Sequence, residues 1–275
     1  VAVASLATTG LAQAQTVLTA SSWLSPTHIL SETQKEWCGE LEKKTSGKLK
    51  CNILPRAVSA PPGTFDAVRN GLADLSFTVQ GYTPGRFVTT QMAEVSFLGN
   101  SAETTSVAFQ RVYAKQPAIA AEHQGVKVLA VFTHGPGIVF NTKRPIAKAD
   151  DLAGLKFRVG GGMVNEISKS LNMNVTLKPA PESYELLSSG VMDGTLFPAE
   201  SVESFKLDKT VKYATAFMQV AGVQFTKADA AFVKAVQDKT GAVEDKWAAA
   251  AEAKGLKDAK KVLAEYRAEI KKLEK

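Results

Sequence analysis

The chain has 275 residues, of which 45% are hydrophobic and 22% charged, and its formal net charge is +6. That length leaves room for two α/β lobes and a sizeable core, and no apolar run approaches the roughly 18 residues a membrane-spanning helix needs. The basic residues form no single patch, being interleaved with acids near the C-terminus as at Glu269 and Lys272, so no nucleic-acid partner is expected.

Residues 1–14 are small, apolar and uncharged and end in Ala12-Gln13-Ala14. This is the apolar region and cleavage site of a secretory signal, so 1–14 is read as a signal-peptide remnant, Gln15 as the start of the mature chain, and the periplasm as its destination. Next come a strand over 16–22, a helix over 30–44 and a strand over 49–54. Cys38 lies on that helix and Cys51 on that strand. A helix folded back on its following strand brings such a pair within disulfide range; two buried free thiols are the other reading. The three histidines lie far from both cysteines in the sequence, so no zinc site is expected. A short helix follows over 64–70, closed by Gly71, and a buried strand over 75–79. Helices are predicted over 102–114 and 117–123. Residues 126–133 are almost continuously apolar, the pattern of a parallel strand covered on both faces.

In the second half, strands are predicted at 137–141, 155–159, 175–177 and 194–197, with helices over 163–171 and 183–188. From Ala228 the chain is helical and rich in Ala and Lys. Such alternation argues for an α/β protein with parallel sheets and crossover helices.

Residues 150–162, Asp-Asp-Leu-Ala-Gly-Leu-Lys-Phe-Arg-Val-Gly-Gly-Gly, carry the most information. They place Arg158 at the carboxyl end of a strand, where open α/β sheets bind ligands. A guanidinium there matches a carboxylate with a planar fork, and the N-terminus of the helix opened by the glycine run adds partial positive charge. The glycines are not a dinucleotide fingerprint, because G-x-G-x-x-G and its ribose-binding acid are absent. The alternative for Arg158 is a structural ion pair with Asp150 or Asp151.

The run Asp151-Leu152-Ala153-Gly154-Leu155-Lys156-Phe157-Arg158-Val159 resembles the D-L-x-G-L-K-x-R-V motif of TRAP-transporter solute-binding proteins, the DctP-like family. Other segments resemble that family in the same order: Gly71-Leu72-Ala73-Asp74-Leu75, Val95-Ser96-Phe97-Leu98-Gly99, and Tyr184-Glu185-Leu186-Leu187 through Gly190-Val191-Met192-Asp193-Gly194 to Phe197-Pro198 and Phe205-Lys206. The likeness runs from about Thr16 to Thr215 and resumes over the C-terminal helices.

The resemblance implies a two-lobed periplasmic binding protein fold with mixed, mainly parallel sheets joined by hinge strands. Residues 15–135 with 223–275 would form one lobe and 136–222 the other. It implies an extracytoplasmic solute-binding protein of a TRAP-type secondary transporter, not an enzyme, which captures a small organic acid by an Arg158–carboxylate clamp in the inter-lobe cleft. The membrane subunits of the transporter are the implied partners, and no cofactor, metal or catalytic residue is expected. Trp23 and His28 follow the first strand, Gln80 and Tyr82 follow the 75–79 strand, and His134 sits at a strand end. Each is a candidate ligand contact, set against ordinary packing or, for His28, a surface position. Glu200 and Glu203 are read as caps at a helix start.

Three departures from the family pattern bear on function. The strand before the motif lacks the second arginine of some relatives, and Phe197 stands where relatives that bind sugar acids place Asn. Both point to a monocarboxylate with an apolar body, aromatic and keto acids being the classes in view. Thirdly, the chain passes from Thr215 through Ala216-Phe217-Met218-Gln219-Val220 almost directly into Ala221-Gly222-Val223-Gln224-Phe225, as if an internal block holding the return strand were missing. The loss of that strand is expected to expose an apolar sheet edge. The rival readings are an exported hydrolase-like enzyme, disfavoured by the lack of a G-x-S-x-G elbow or phosphate loop, and an internally deleted relative that binds nothing.

Overall fold

The computed structural model of the chain describes residues 15–99, 101–215 and 224–274. Residues 1–14, read from the sequence as a signal remnant, and the join at 216–223 lie outside the described residues. The chain divides into two compact units. One comprises the described residues up to Ala60 together with Thr64–Phe77; the other comprises Pro61–Gly63 and everything from Thr78 onward.

The first unit is a βαβ element. Strand β1 (Thr16–Ala20) pairs in parallel with β2 (Leu49–Ile53), in register from Thr16↔Leu49 to Ala20↔Ile53. Helix α1 (Ile29–Lys44) makes the crossover. Its start is set by His28, whose Nδ1 accepts the Leu30 N–H at 3.1 Å. His28 is thus a buried cap, so the surface position that stood as the alternative to a ligand contact falls. The turn back uses Ser46 and Gly47, both at positive φ. Cys38 and Cys51 are disulfide-bonded with their Cα atoms 5.6 Å apart, so the free-thiol reading falls. Helix α2 (Thr64–Arg69) completes the unit. The strand predicted over 75–79 reduces to one parallel bridge, Ala20↔Leu75.

In the second unit, α3 (Ala102–Lys115) and α4 (Pro117–Ala121) precede β3 (Gly137–Asn141). There follow β4 (Lys156–Val159), α5 (Gly162–Ser170), β5 (Asn174–Leu177), α6 (Ser183–Ser188) and β6 (Gly194–Pro198). Strands β7 (Tyr213–Thr215) and β8 (Gln224–Thr226) lead to the long helices α7 (Ala230–Ala253) and α8 (Ala259–Leu273). The sheet order is β5-β4-β6-β3-β7-β8. Strand β4 lies parallel to both neighbours and β8 parallel to β7, whereas β3 runs antiparallel to β6 and β7. The sheet is therefore mixed, with Arg158 on an interior strand.

Two apolar clusters hold this unit. Phe109, Val112, Ile119, Trp247, Tyr266 and Ile270 pack the helices together, while Ile146, Leu152, Leu155, Phe157, Met173 and Phe232 seal the sheet. Burying each such large side chain contributes roughly 1.5–3 kcal/mol. Their polar ends are matched: Tyr266 Oη donates to Thr105 O at 3.1 Å and Trp247 Nε1 to Val88 O at 2.9 Å.

One predicted strand is absent. Residues 127–134 are irregular and pair with no strand among the described residues. Side chains of α3 take up two of their N–H groups: Val131 N donates to Gln110 Oε1 at 2.9 Å and Thr133 N to Ser106 Oγ at 2.9 Å. In place of cover on both faces, Leu129 is 57% exposed and Phe132 44%. Hydrophobic content identified an extended segment here, but a parallel strand also needs neighbours on its two edges.

Candidate functional site

Strand β4 carries Arg158 into the molecule with β5 on one edge and β6 on the other, so its backbone is held at Thr176 and Thr195. The Thr195 hydroxyl donates to Arg158 O at 3.2 Å. The side chain is only 3% exposed. Its Nε donates to Lys178 O at 2.7 Å, just beyond the end of β5. Its Nη2 lies 3.5 Å from Tyr82 Oη, which accepts the Ala180 N–H at 2.9 Å. The guanidinium carbon sits 5.5 Å from the centroid of the Phe197 ring, itself met edge-on by Phe205 at 5.4 Å. A cation over an aromatic face is held by the ring quadrupole.

No carboxylate is paired with Arg158 among the described residues. Asp151, a candidate partner, instead accepts the Ala147 and Lys148 N–H groups at 2.9 and 3.0 Å, bonds that hold its pKa below the usual carboxylate value. Burial pushes the Arg158 guanidinium below its ordinary pKa, with Tyr82 and, more weakly, the Glu182 carboxylate acting in the opposite sense. A buried cation with no carboxylate in direct contact is costly unless an anion is brought to it.

The glycine run opens α5 at Gly162, as expected, and has a second role. Gly161 is at φ +98°, and a Cβ there would collide with the carbonyl oxygen of Gly81. A Cβ on Gly81 would come within 3.1 Å of Gly161 C and Gly162 N. The glycines thus let two backbones touch, and this contact sets the short 3₁₀ turn Gln80–Tyr82 against the end of β4. The start of α5 is likewise taken: Met163 N donates to Glu94 Oε2 at 2.8 Å. Expected to serve an incoming anion, that N–H instead serves a protein carboxyl. Burial pushes Glu94 up to about 7, opposed by the Met163 bond.

Arg158, Tyr82 and Phe197 therefore come together. Gln80 lies in the same turn as Tyr82, but its Nε2 meets His123 Nε2 at 3.1 Å, and burial lowers the pKa of that histidine. His134 is exposed, its Nδ1 2.6 Å from Gly135 O. Glu200 Oε1 accepts the Gly135 N–H at 2.7 Å, so it satisfies a distant backbone donor where a cap of its own helix start was expected. Trp23 belongs to the first unit, where its Nε1 donates to Phe77 O at 3.1 Å and its ring stacks on Phe77 at 5.1 Å. Sequence reasoning missed Lys178 O, the Ala180 N–H, Glu94 and Phe205. The first two are backbone groups, for which residue type carries no signal.

The family described as bacterial extracellular solute-binding protein, family 7 (DctP), matches residues 20–275. Among curated proteins, the outer membrane transporter protein TsaT of Comamonas testosteroni is 30% identical over 222 residues, covering 80% of this chain and 64% of that protein. The chain spans 53% of a solute-binding protein of Verminephrobacter eiseniae, so it covers under two thirds of these relatives' length. Among solved structures, a TRAP periplasmic solute-binding protein of Bordetella bronchiseptica with bound (R)- and (S)-mandelate is 38% identical, with a TM-score of 0.87 and coverage of 94% of this chain and 99% of that one. A marine-metagenome TRAP solute-binding protein described as specific for aromatic acid ligands, holding 3-hydroxybenzoate, is 25% identical, with a TM-score of 0.86 and coverage of 95% and 99%.

Proposed function

Because the chain belongs to family 7 of the bacterial extracellular solute-binding proteins, whose similar solved structures are binding proteins and not enzymes, we propose that it captures a small organic monocarboxylate for a TRAP-type transporter, with Arg158 as the anchor. The observation that carries this reading is a buried guanidinium, 3% exposed, whose hydrogen bonds run to Lys178 O and Tyr82 Oη and which makes no salt bridge among the described residues. Removing one charge of a buried pair leaves a penalty of about 3–5 kcal/mol; an arriving carboxylate relieves such a penalty at Arg158. Phe197 supports an aromatic or otherwise apolar acid body, since its ring occupies the face of the guanidinium where a polar side chain would have served hydroxyl-rich acids. The mandelate and 3-hydroxybenzoate held by similar proteins favour the same class.

Trp23, Gln80 and His134 remain part of the proposal as outer contacts, as do the lobe division at 136–222, the periplasmic location and the membrane subunits as partners. The test is thermal unfolding of the chain with benzoate, mandelate, a keto acid, a dicarboxylate and a sugar acid. A true ligand at about 100 times its Kd stabilises by about 2.7 kcal/mol. Stabilisation by an aromatic or keto acid that vanishes in Arg158→Ala is the expected result. Stabilisation by the sugar acid alone would overturn the ligand class, and an undiminished effect in Arg158→Ala would overturn the anchor.

A further inference from the structure

Resting on the reading of Arg158 as a carboxylate anchor, we infer that Tyr82 is a positioning residue which holds the guanidinium whose Nε the Lys178 carbonyl occupies, so that the acid is taken end-on by Nη1 and Nη2. A guanidinium has five N–H donors and two ways to hold a carboxylate in its plane. One fork uses Nε with the adjacent terminal nitrogen; the other uses the two terminal nitrogens.

On Arg158 the first fork is occupied. Lys178 O accepts from Nε at 2.7 Å, and Tyr82 Oη stands 3.5 Å from Nη2, the terminal nitrogen on the Nε–H side. Phe197 covers one face of the plane at 5.5 Å. The remaining in-plane approach is the end defined by Nη1 and Nη2.

Tyr82 can hold this position because its own is set by backbone. Its oxygen accepts the Ala180 N–H at 2.9 Å, a Cβ on Gly160 would lie 3.4 Å from its ring, and Gly81 beside it rests directly on 160–162. The segment Lys178-Pro179-Ala180 therefore sets both the arginine and the tyrosine that aims it. A fixed fork loses less freedom when the ligand arrives, which is how a pre-organised site gains affinity.

The experiment uses the full chain with benzoate and (R)-mandelate as probes. In calorimetric titration Tyr82→Phe is expected to weaken binding about tenfold, the scale of one hydrogen bond to a charged group. The same change in an Arg158→Lys background, where no fork remains to be aimed, is expected to cost less than about twofold. Equal losses in both backgrounds would mean that Tyr82 is merely structural and would overturn the inference. In ¹⁵N spectra of the guanidinium, saturating acid is expected to shift both Nη resonances and leave Nε–H, already bonded to Lys178 O, in place. A shift at Nε–H with unmoved Nη would overturn the end-on geometry. Binding undiminished by Arg158→Ala would remove the underlying anchor instead, a failure distinct from either of these.

Discussion

At the scale of single residues, burial decides the chemistry. Phe197 is 3% exposed and shares its ring with Arg158 and Phe205. Phe197→Asn is expected to cost about 2–4 kcal/mol of stability through the lost packing, and to weaken binding of an aromatic acid more than that of acetate. Denaturant melts and titrations with both acids measure the two effects. Glu94 offers a pH test. Its pKa in the folded chain is raised from 4.5 to about 7, so between those values the native state holds a proton that the unfolded chain releases. Stability therefore falls as pH rises through that window, by on the order of 1–3 kcal/mol. Urea melts at about pH 5 and about pH 8 should show this slope for the parent chain and a flatter one for Glu94→Gln, with a pH-independent difference counting against it. The place of Arg158 near the end of β4 was legible because an apolar strand pattern runs up to it. Glu94 was not, since nothing local to Thr89–Glu94 tells that its carboxyl meets the first turn of α5.

At the scale of elements, close approach matters as much as periodicity. Gly154 and Gly161 both have positive φ, but a Cβ meets nothing within 4 Å at Gly154 and the Gly81 carbonyl at Gly161. Gly154→Ala is expected to cost about 1–2 kcal/mol from backbone strain alone. Gly161→Ala should cost more and also weaken ligand binding, because the Tyr82 turn must move; equal stability losses and unaltered affinity would contradict this. In the first unit the disulfide closes a loop with a sequence separation of 13, worth about 3 kcal/mol in the chain-entropy model. Reduction should lower Tm by several degrees, at about 2–4 °C per kcal/mol. The helices were readable from their spacing, and the structure adds their caps: Ser101 Oγ accepts the Thr104 N–H at 3.3 Å and Asp229 Oδ1 accepts the Phe232 N–H at 2.5 Å. The segment 127–134 shows the limit, because apolar content states that a strand would be buried, and a partner decides whether it forms.

At the scale of the whole molecule, the net charge of +6 favours encounter with an anion over any particular pose. Because exposed charges are screened over about 8 Å at physiological salt, raising ionic strength should slow association of the acid while leaving dissociation nearly unaltered. Stopped-flow mixing at low and high salt reads both rates, and a salt effect confined to dissociation would contradict this reading. The first unit is held by a two-stranded sheet, helices α1 and α2 and the disulfide, and the second by two apolar clusters.

Most of the order of strands and helices, the strand-end position of Arg158 and the family resemblance came from patterns spanning a few neighbouring residues, because turns and periodicity are local. Tertiary structure alone decided which atoms surround the guanidinium. The oxygen of Tyr82 meets Arg158 and Ala180 across separations of 76 and 98 positions, and the glycine run became a bearing surface only because Gly81 lies against it. Burial and backbone contact are properties of segments brought together from far apart, so no window of sequence contains them.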